Sequence, residues 1–350
     1  DALPICYMWG RDGALVAKSL IEAGYAEETK PFFTFCKNVM RKKGYLLHKY
    51  NPDGSLGSSW HPWIKDGEES LPIQEDSTAL VLHALEKYYE ETRDKYFIEK
   101  VYDDLIKPMS LFLFDYKYDN GLPKESYDLW EERRGIFTYT ASTVIAGTMA
   151  AHQLGHLMLD SEFCEKCKKE HDRFQKAMKN HLYKEEPGYF RRSVTFEEGD
   201  IEYDDTIDAS VYGIFEFDVF EADDEVVKQT MEKVRDWLWI DTDVGGIARY
   251  RNDYYHQISQ DIDDIPGNPW FITTIWYAKW VIDKADKEED LEEAKEIIDW
   301  ILSHRNESGV LSEMIHPHTG EPLSVSPLTW SHAEYVSLIA KYTDKLEELR

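Results

Sequence analysis

The stretch GLPKESYDLWEERRG at 121–135 gathers groups suited to proton transfer: Asp128, Trp130, Glu131 and Glu132, followed by Arg133 and Arg134. A general acid must keep its proton near neutral pH, which takes desolvation or a neighbouring negative charge. Trp130 offers an apolar wall and Glu132 a like charge. The competing reading is a solvated charge cluster, the usual fate of a run such as EERR. Against it, this run sits among aromatic loop residues and not on a helix face. A further carboxylate, Glu313, lies in the semi-apolar VLSEMI at the mouth of the last helical segment. Taken alone it reads equally well as an ordinary loop glutamate.

Three more stretches carry groups that hold polyhydroxylated molecules. YMWGRD at 7–12 sets Arg11 beside Asp12 at a loop-to-helix junction. A guanidinium donates while a carboxylate accepts, so the pair can grip a diol, with Trp9 as a platform. The alternative is an N-cap aspartate next to a surface arginine. ARYRND at 248–253 and GNPWFITT at 267–274 bring Arg249, Asp253 and Trp270, the last at a helix start, where it could equally be core. SSWHPW followed by LPIQED, at 58–63 and 71–76, offers Trp60, Trp63, Gln74 and Asp76 at another helix entrance.

Helical periodicity places these loops. Apolar residues recur at helical spacing in 12–27, 28–42, 74–94, 95–114, 137–159, 160–184, 203–217, 223–239, 269–285, 287–304 and 330–347. Asp12 is a candidate N-cap for the first, and Asp160 or Ser161 for the sixth. The stretches between helix pairs, 45–73, 115–136, 185–202, 240–268 and 305–329, are long and rich in Gly, Pro, Trp, Tyr and acid. Long structured loops of this kind are usually functional. Their recurrence after every second helix predicts an all-α ring of helix pairs with the loops at one end. No Pro/Ser-rich linker divides the chain, so it reads as one domain over 1–350.

Composition narrows the chemistry. The net charge of −28 argues against nucleic acid and anionic membranes as partners, and fits solubility or a salt- or heat-adapted source. Aromatic residues reach 14%, with 11 Trp and 22 Tyr. Flat apolar rings suit the axial-hydrogen faces of sugars, although core packing also uses them. The four cysteines, Cys6, Cys36, Cys164 and Cys167, are too few for a disulfide framework. Cys164 and Cys167 form one CxxC without a second ligand pair, so plain thiols and no metal are expected. No apolar run is long enough to span a bilayer, and no signal peptide is visible. A cytoplasmic protein is the expectation.

Taken together, WGRD, DLWEE, GNPWF and SPLTWSHAEY, in this order over nearly the whole chain, resemble glycoside hydrolase family 15, the glucoamylases, glucodextranases and related trehalases. The resemblance implies an (α/α)6 barrel of six helix pairs and an inverting reaction without cofactor. It implies Glu131 as general acid and Glu313 as general base, although SEM at 312–314 departs from the SEQ or AEQ of many members. Arg11 and Asp12 match the pair that holds the terminal glucose. Trp9, Trp130, Glu132, Arg249, Asp253 and Trp270 are further expected sugar contacts. The implied substrate is an α-glucan or gluco-oligosaccharide, cut from its non-reducing end to release β-glucose. Other readings stay open: α,α-trehalase or glucodextranase within the family, a non-catalytic glucoamylase-like regulatory domain, and a helical-repeat scaffold.

The resemblance implies twelve helices where the pattern shows eleven. YMWGRD would follow the first barrel helix, yet the chain starts only a few residues before it. A barrel lacking its first helix is therefore expected, with a β-rich domain upstream in the parent protein.

Overall fold

The computed structural model describes residues 7–59, 61–62, 64–65, 67–197, 200–261 and 263–350. It divides into two compact units, Asp1–His181 with Val194–Ile201, and Leu182–Ser193 with Glu202–Arg350. Helices dominate both, and the strands are short. Among the described residues no helix is long and apolar enough to cross a membrane.

In the first unit the helices are α1 (Gly10–Glu22), α2 (Lys30–Val39), α3 (Glu75–Thr92), α4 (Lys95–Val101), α5 (Lys107–Asp115), α6 (Thr138–Leu157) and α7 (Ser161–Leu182). The centre is α3, which packs on both α1 and α6. Its first eleven residues, Glu75 to Leu85, are all buried. That is the signature of a helix enclosed on every side rather than of a surface stripe. Gly147 of α6 permits the close approach: a Cβ there would lie 2.7 Å from the carbonyl oxygen of Ala79. The segment 95–114 was expected as one helix. It is instead α4, a π-turn at Tyr102–Ile106, and α5. Pro108 has no N–H to return to the preceding turn, and the ladder widens just before it. Asp160 caps α7 as expected, its Oδ1 accepting from the Phe163 amide at 3.2 Å.

The second unit holds α8 (Gly213–Glu216), α9 (Glu225–Leu238), α10 (Phe271–Asp283), α11 (Glu292–His304) and α12 (Thr329–Leu349). Here α10 is the buried centre, flanked by α11 and α12. Tyr212 stacks on Trp276 with ring centroids 3.9 Å apart, and Lys279 is held between Glu216 and Glu334. The helix expected over 203–217 shrinks to one 3-10 turn at Ala209–Tyr212 plus the single turn α8. Two aspartates intervene. Asp204 accepts from the Thr206 amide and Asp208 from the Ser210 amide, local turns that compete with a helix.

Candidate active site

In the first unit a hairpin presents the acidic loop. Ser126–Tyr127 pairs antiparallel with the start of Arg134–Phe137, which leads into α6. Between them Asp128 organises the turn: its Oδ1 accepts from the amides of Glu132 at 2.7 Å and Arg133 at 3.0 Å. Its carbonyl accepts from Gln74 Nε2 at 2.6 Å. Glu131 then adopts a left-handed backbone, φ 62°. Such strain in a non-glycine residue costs about 1–3 kcal/mol and concentrates at functional sites.

Arg11 sits at the start of α1. A Cβ on Gly10 would meet Leu46 Cδ1 at 2.9 Å, so the bare backbone lets this turn seat deeply. The Arg11 guanidinium is buried and faces three carboxylates: Asp12 at 3.2 Å, Asp76 at 3.5 Å and Glu131 at 3.6 Å. Burial opposes its charge, but the three acids outweigh burial and hold it firmly protonated. Burial raises the pKa values of Asp12 and Asp76, against the pull of Arg11. The N-cap position of α1 is Trp9, and Asp12 lies one turn in.

His48 completes this cluster. Trp9 belongs to a two-residue strand, Met8–Trp9, paired with Lys49–Tyr50, which brings His48 alongside. The His48 Nε2 lies 2.8 Å from Glu131 Oε1 and 3.3 Å from the Trp9 indole nitrogen. One nitrogen cannot donate to the carboxylate and accept from the indole at once. The shorter contact and the negative charge favour donation to Glu131. Burial pushes the Glu131 pKa up, but His48, Arg11 and His61 outweigh it and leave it below the usual carboxylate value. This reverses the expectation that Trp130 and Glu132 would keep Glu131 protonated. Trp130 is buried, and Glu132 turns to Arg133 at 2.8 Å. His61 stacks on Tyr127 at 3.5 Å, and burial lowers its pKa to about 4.

In the second unit the frame is a set of short β contacts. Ile247 bridges Trp270, Trp270 bridges Met314, and Met314–Ile315 pairs with Pro322–Leu323. Glu313 precedes this hairpin, its amide bound to the Val325 carbonyl at 2.9 Å. Arg249 is buried and bidentate to Asp253, at 2.7 and 2.6 Å. The guanidinium also lies 4.9 Å from the Trp270 ring and 5.1 Å from Tyr255. Trp270 is buried as the residue preceding α10. Burial raises the Glu313 pKa, opposed by the Ser324 and Tyr255 hydroxyls and by Arg249 and His256. Its Oε2 has no hydrogen-bond partner among the described residues. Asn252 (φ 65°), His256 (φ 51°) and Ser324 (φ 61°) share the left-handed backbone seen at Glu131.

The expected residues thus fall into two groups: Trp9, Arg11, Asp12, Trp130, Glu131 and Glu132 in one unit, and Arg249, Asp253, Trp270 and Glu313 in the other. Trp60 and Trp63 lie outside the described residues. His48, Tyr255, His256 and Ser324 were not singled out from the sequence. A lone histidine in LLHKY gives no local sign that it faces an acid. The YYH at 254–256 sits in a loop flagged for its aromatics. Met314, at the position of the SEM departure, is buried, and its sulfur accepts from Asn268 at 3.5 Å.

Comparison with known proteins bears on the family and the fold. The chain is 27% identical over 340 residues to an uncharacterized glycosyl hydrolase of Methanocaldococcus jannaschii, covering 94% of this chain and 50% of that protein. It is 25% identical to a glucoamylase of Clostridium sp. (strain G0005), over 95% of this chain and 46% of that one. It is 24% identical to Trehalase 1 of Sulfolobus acidocaldarius, over 94% of this chain and 54% of that one. The chain therefore spans about half the length of the curated relatives it matches. Among solved structures, a bacterial glucoamylase complexed with acarbose superposes with a TM-score of 0.78 at 23% identity, covering 97% of this chain and 49% of that one. That likeness gives the expected fold class, the all-α (α/α)6 barrel of glucoamylases. The family model for glycosyl hydrolases family 15 matches residues 3–340, and the chain belongs to that family.

Proposed function

We propose that this chain is the catalytic part of an inverting, exo-acting glycoside hydrolase that releases β-glucose from the non-reducing ends of α-glucans. Glu131 is the general acid and Glu313 the general base. The carrying observation is the state of Glu313. Burial raises its pKa and so strengthens it as a base once ionised, hydroxyls from Tyr255 and Ser324 stabilise the ionised form, and Oε2 has no partner among the described residues. That oxygen can take a proton from an attacking water. Inversion requires the two carboxyl groups roughly 6.5–9.5 Å apart on opposite faces of the sugar. Arg11 with Asp12 serves the hydroxyls of the terminal glucose, and Arg249, Trp270 and Trp9 supply further contacts. An α-linked substrate then yields β-glucose as first product. Proton NMR of the earliest turnover reads the anomer, and initial α-glucose would sink the inverting assignment.

The pH profile tests the acid. In the free protein the Glu131 pKa is lowered and the Glu313 pKa raised. Catalysis needs the opposite occupancy, with Glu131 protonated and Glu313 ionised. Treated as separate titrations, this makes the productive form a minority species. The acidic limb of kcat/KM then reports Glu131, and the alkaline limb reports Glu313. His48→Ala removes the largest group lowering the Glu131 pKa, so that pKa rises. The acidic limb should move up while the alkaline limb stays. An unmoved acidic limb, or a displaced alkaline one, overturns the assignment.

The alternative specificity is α,α-trehalose, favoured by the similarity to the Sulfolobus trehalase. Product assays on maltose, isomaltose, trehalose and soluble starch separate the two readings. Both use the same catalytic pair.

A further inference from the structure

We propose that His152, His156 and Cys164 form a binding site for a thiophilic divalent transition-metal ion such as Zn2+, separate from the acidic loop. The CxxC at 164–167 lacks a second ligand pair in the sequence. The last two turns of α6 supply histidines instead. His152 and His156 are one helical turn apart on the same face of α6. Leu159, at φ 58°, and the Asp160 cap fold α7 back so that Cys164 comes alongside. Gly155 makes the room: a Cβ there would lie 2.9 Å from the Cys164 sulfur. One donor atom from each residue lies within 4.8 Å of the other two.

The histidine pair fits tetrahedral coordination, with the thiol within 4.8 Å of both. Zn–N bonds of about 2.0–2.1 Å and Zn–S of about 2.3 Å put neighbouring donors roughly 3.3–3.6 Å apart. The two Nε2 atoms are 3.2 Å apart. His152 Nδ1 lies 3.0 Å from the Cys164 carbonyl oxygen. A carbonyl only accepts, so Nδ1 carries the proton and Nε2 presents a lone pair. That is the outer-shell bond that aims a metal-ligating histidine. In the metal-free state His156 Nε2–H donates to this lone pair. On binding, the His156 proton moves to its Nδ1 and the Cys164 S–H proton goes to solvent. The ion gains two imidazoles and one thiolate, with a fourth position for water. Cys164 is buried and His156 exposed, so the site opens to solvent on the histidine side. Thr138 begins α6 and His152 lies in its C-terminal half, separated by about 1.5 Å of rise for each intervening residue, so the metal acts well away from the Glu131 loop.

The test uses the tag-free full chain after chelator treatment and dialysis. Zn2+ titrated by calorimetry should bind with a stoichiometry of one. Co2+ should give tetrahedral d–d bands and a thiolate-to-cobalt charge-transfer band. Cys164→Ser should abolish the charge-transfer band. His156→Ala, at an exposed position, should fold normally and weaken Zn2+ binding at least about tenfold. Wild-type affinity in His156→Ala, or a charge-transfer band that is absent from wild type or survives in Cys164→Ser, would overturn the proposal.

Discussion

Glu313→Gln should lower kcat on the best α-glucan substrate by at least about 10²-fold, because an amide cannot take a proton from water. Glu131→Gln should cost a similar factor on oligosaccharides, whose leaving oxygen must be protonated. The two variants separate on a substrate with a self-sufficient leaving group. Fluoride departs from α-glucosyl fluoride without an acid, so Glu131→Gln should regain much of its loss there, and Glu313→Gln should not. Folding should survive in both. Glutamine keeps the shape of glutamate, and at Glu313 it removes a charge that burial disfavours. Near-normal turnover of an oligosaccharide by Glu313→Gln ends the base assignment. Equal behaviour of the two variants on the fluoride ends the division of roles.

Arg249→Met carries the largest expected effect on stability. Arg249 and Asp253 are both buried and joined by two hydrogen bonds. Removing the guanidinium leaves a buried carboxylate without its countercharge, a loss of about 3–5 kcal/mol. Asp253 also accepts from the Tyr255 amide at 2.9 Å, so the damage should spread into the loop beside Glu313. Adding Asp253→Asn to Arg249→Met should restore part of the stability, since no stranded charge remains. Urea denaturation of both single variants and the double variant measures this coupling. A cost below about 1 kcal/mol for Arg249→Met would show that the pair is far better solvated than its burial indicates.

The motifs were legible because each is a local device. DLWEER lies in a hairpin loop whose turn is tied by Asp128, all within a few residues. WGRD stands at a helix start, and GNPW leads into α10. Most helices were equally legible, since their apolar spacing is a property of neighbouring positions. The failures have local causes as well. The aspartate turns at Asp204 and Asp208 prevail over helical spacing in 203–217, and the helix expected over 95–114 is interrupted by a π-turn just ahead of Pro108.

Residue order along the chain was enough to establish an all-α chain, the family it belongs to, and the loops that carry its acids. The protonation preferences of those acids lay beyond it. Glu131 was expected to be held protonated by its chain neighbours Trp130 and Glu132, yet His48 and Arg11, far away in sequence, pull its pKa the other way. Glu313 gains Tyr255 and Ser324 by the same route. A helix face or a cap follows from spacing over one or two turns. A pKa follows from burial and from charges within a few ångströms, and those neighbours are brought together only by the packing of the folded chain.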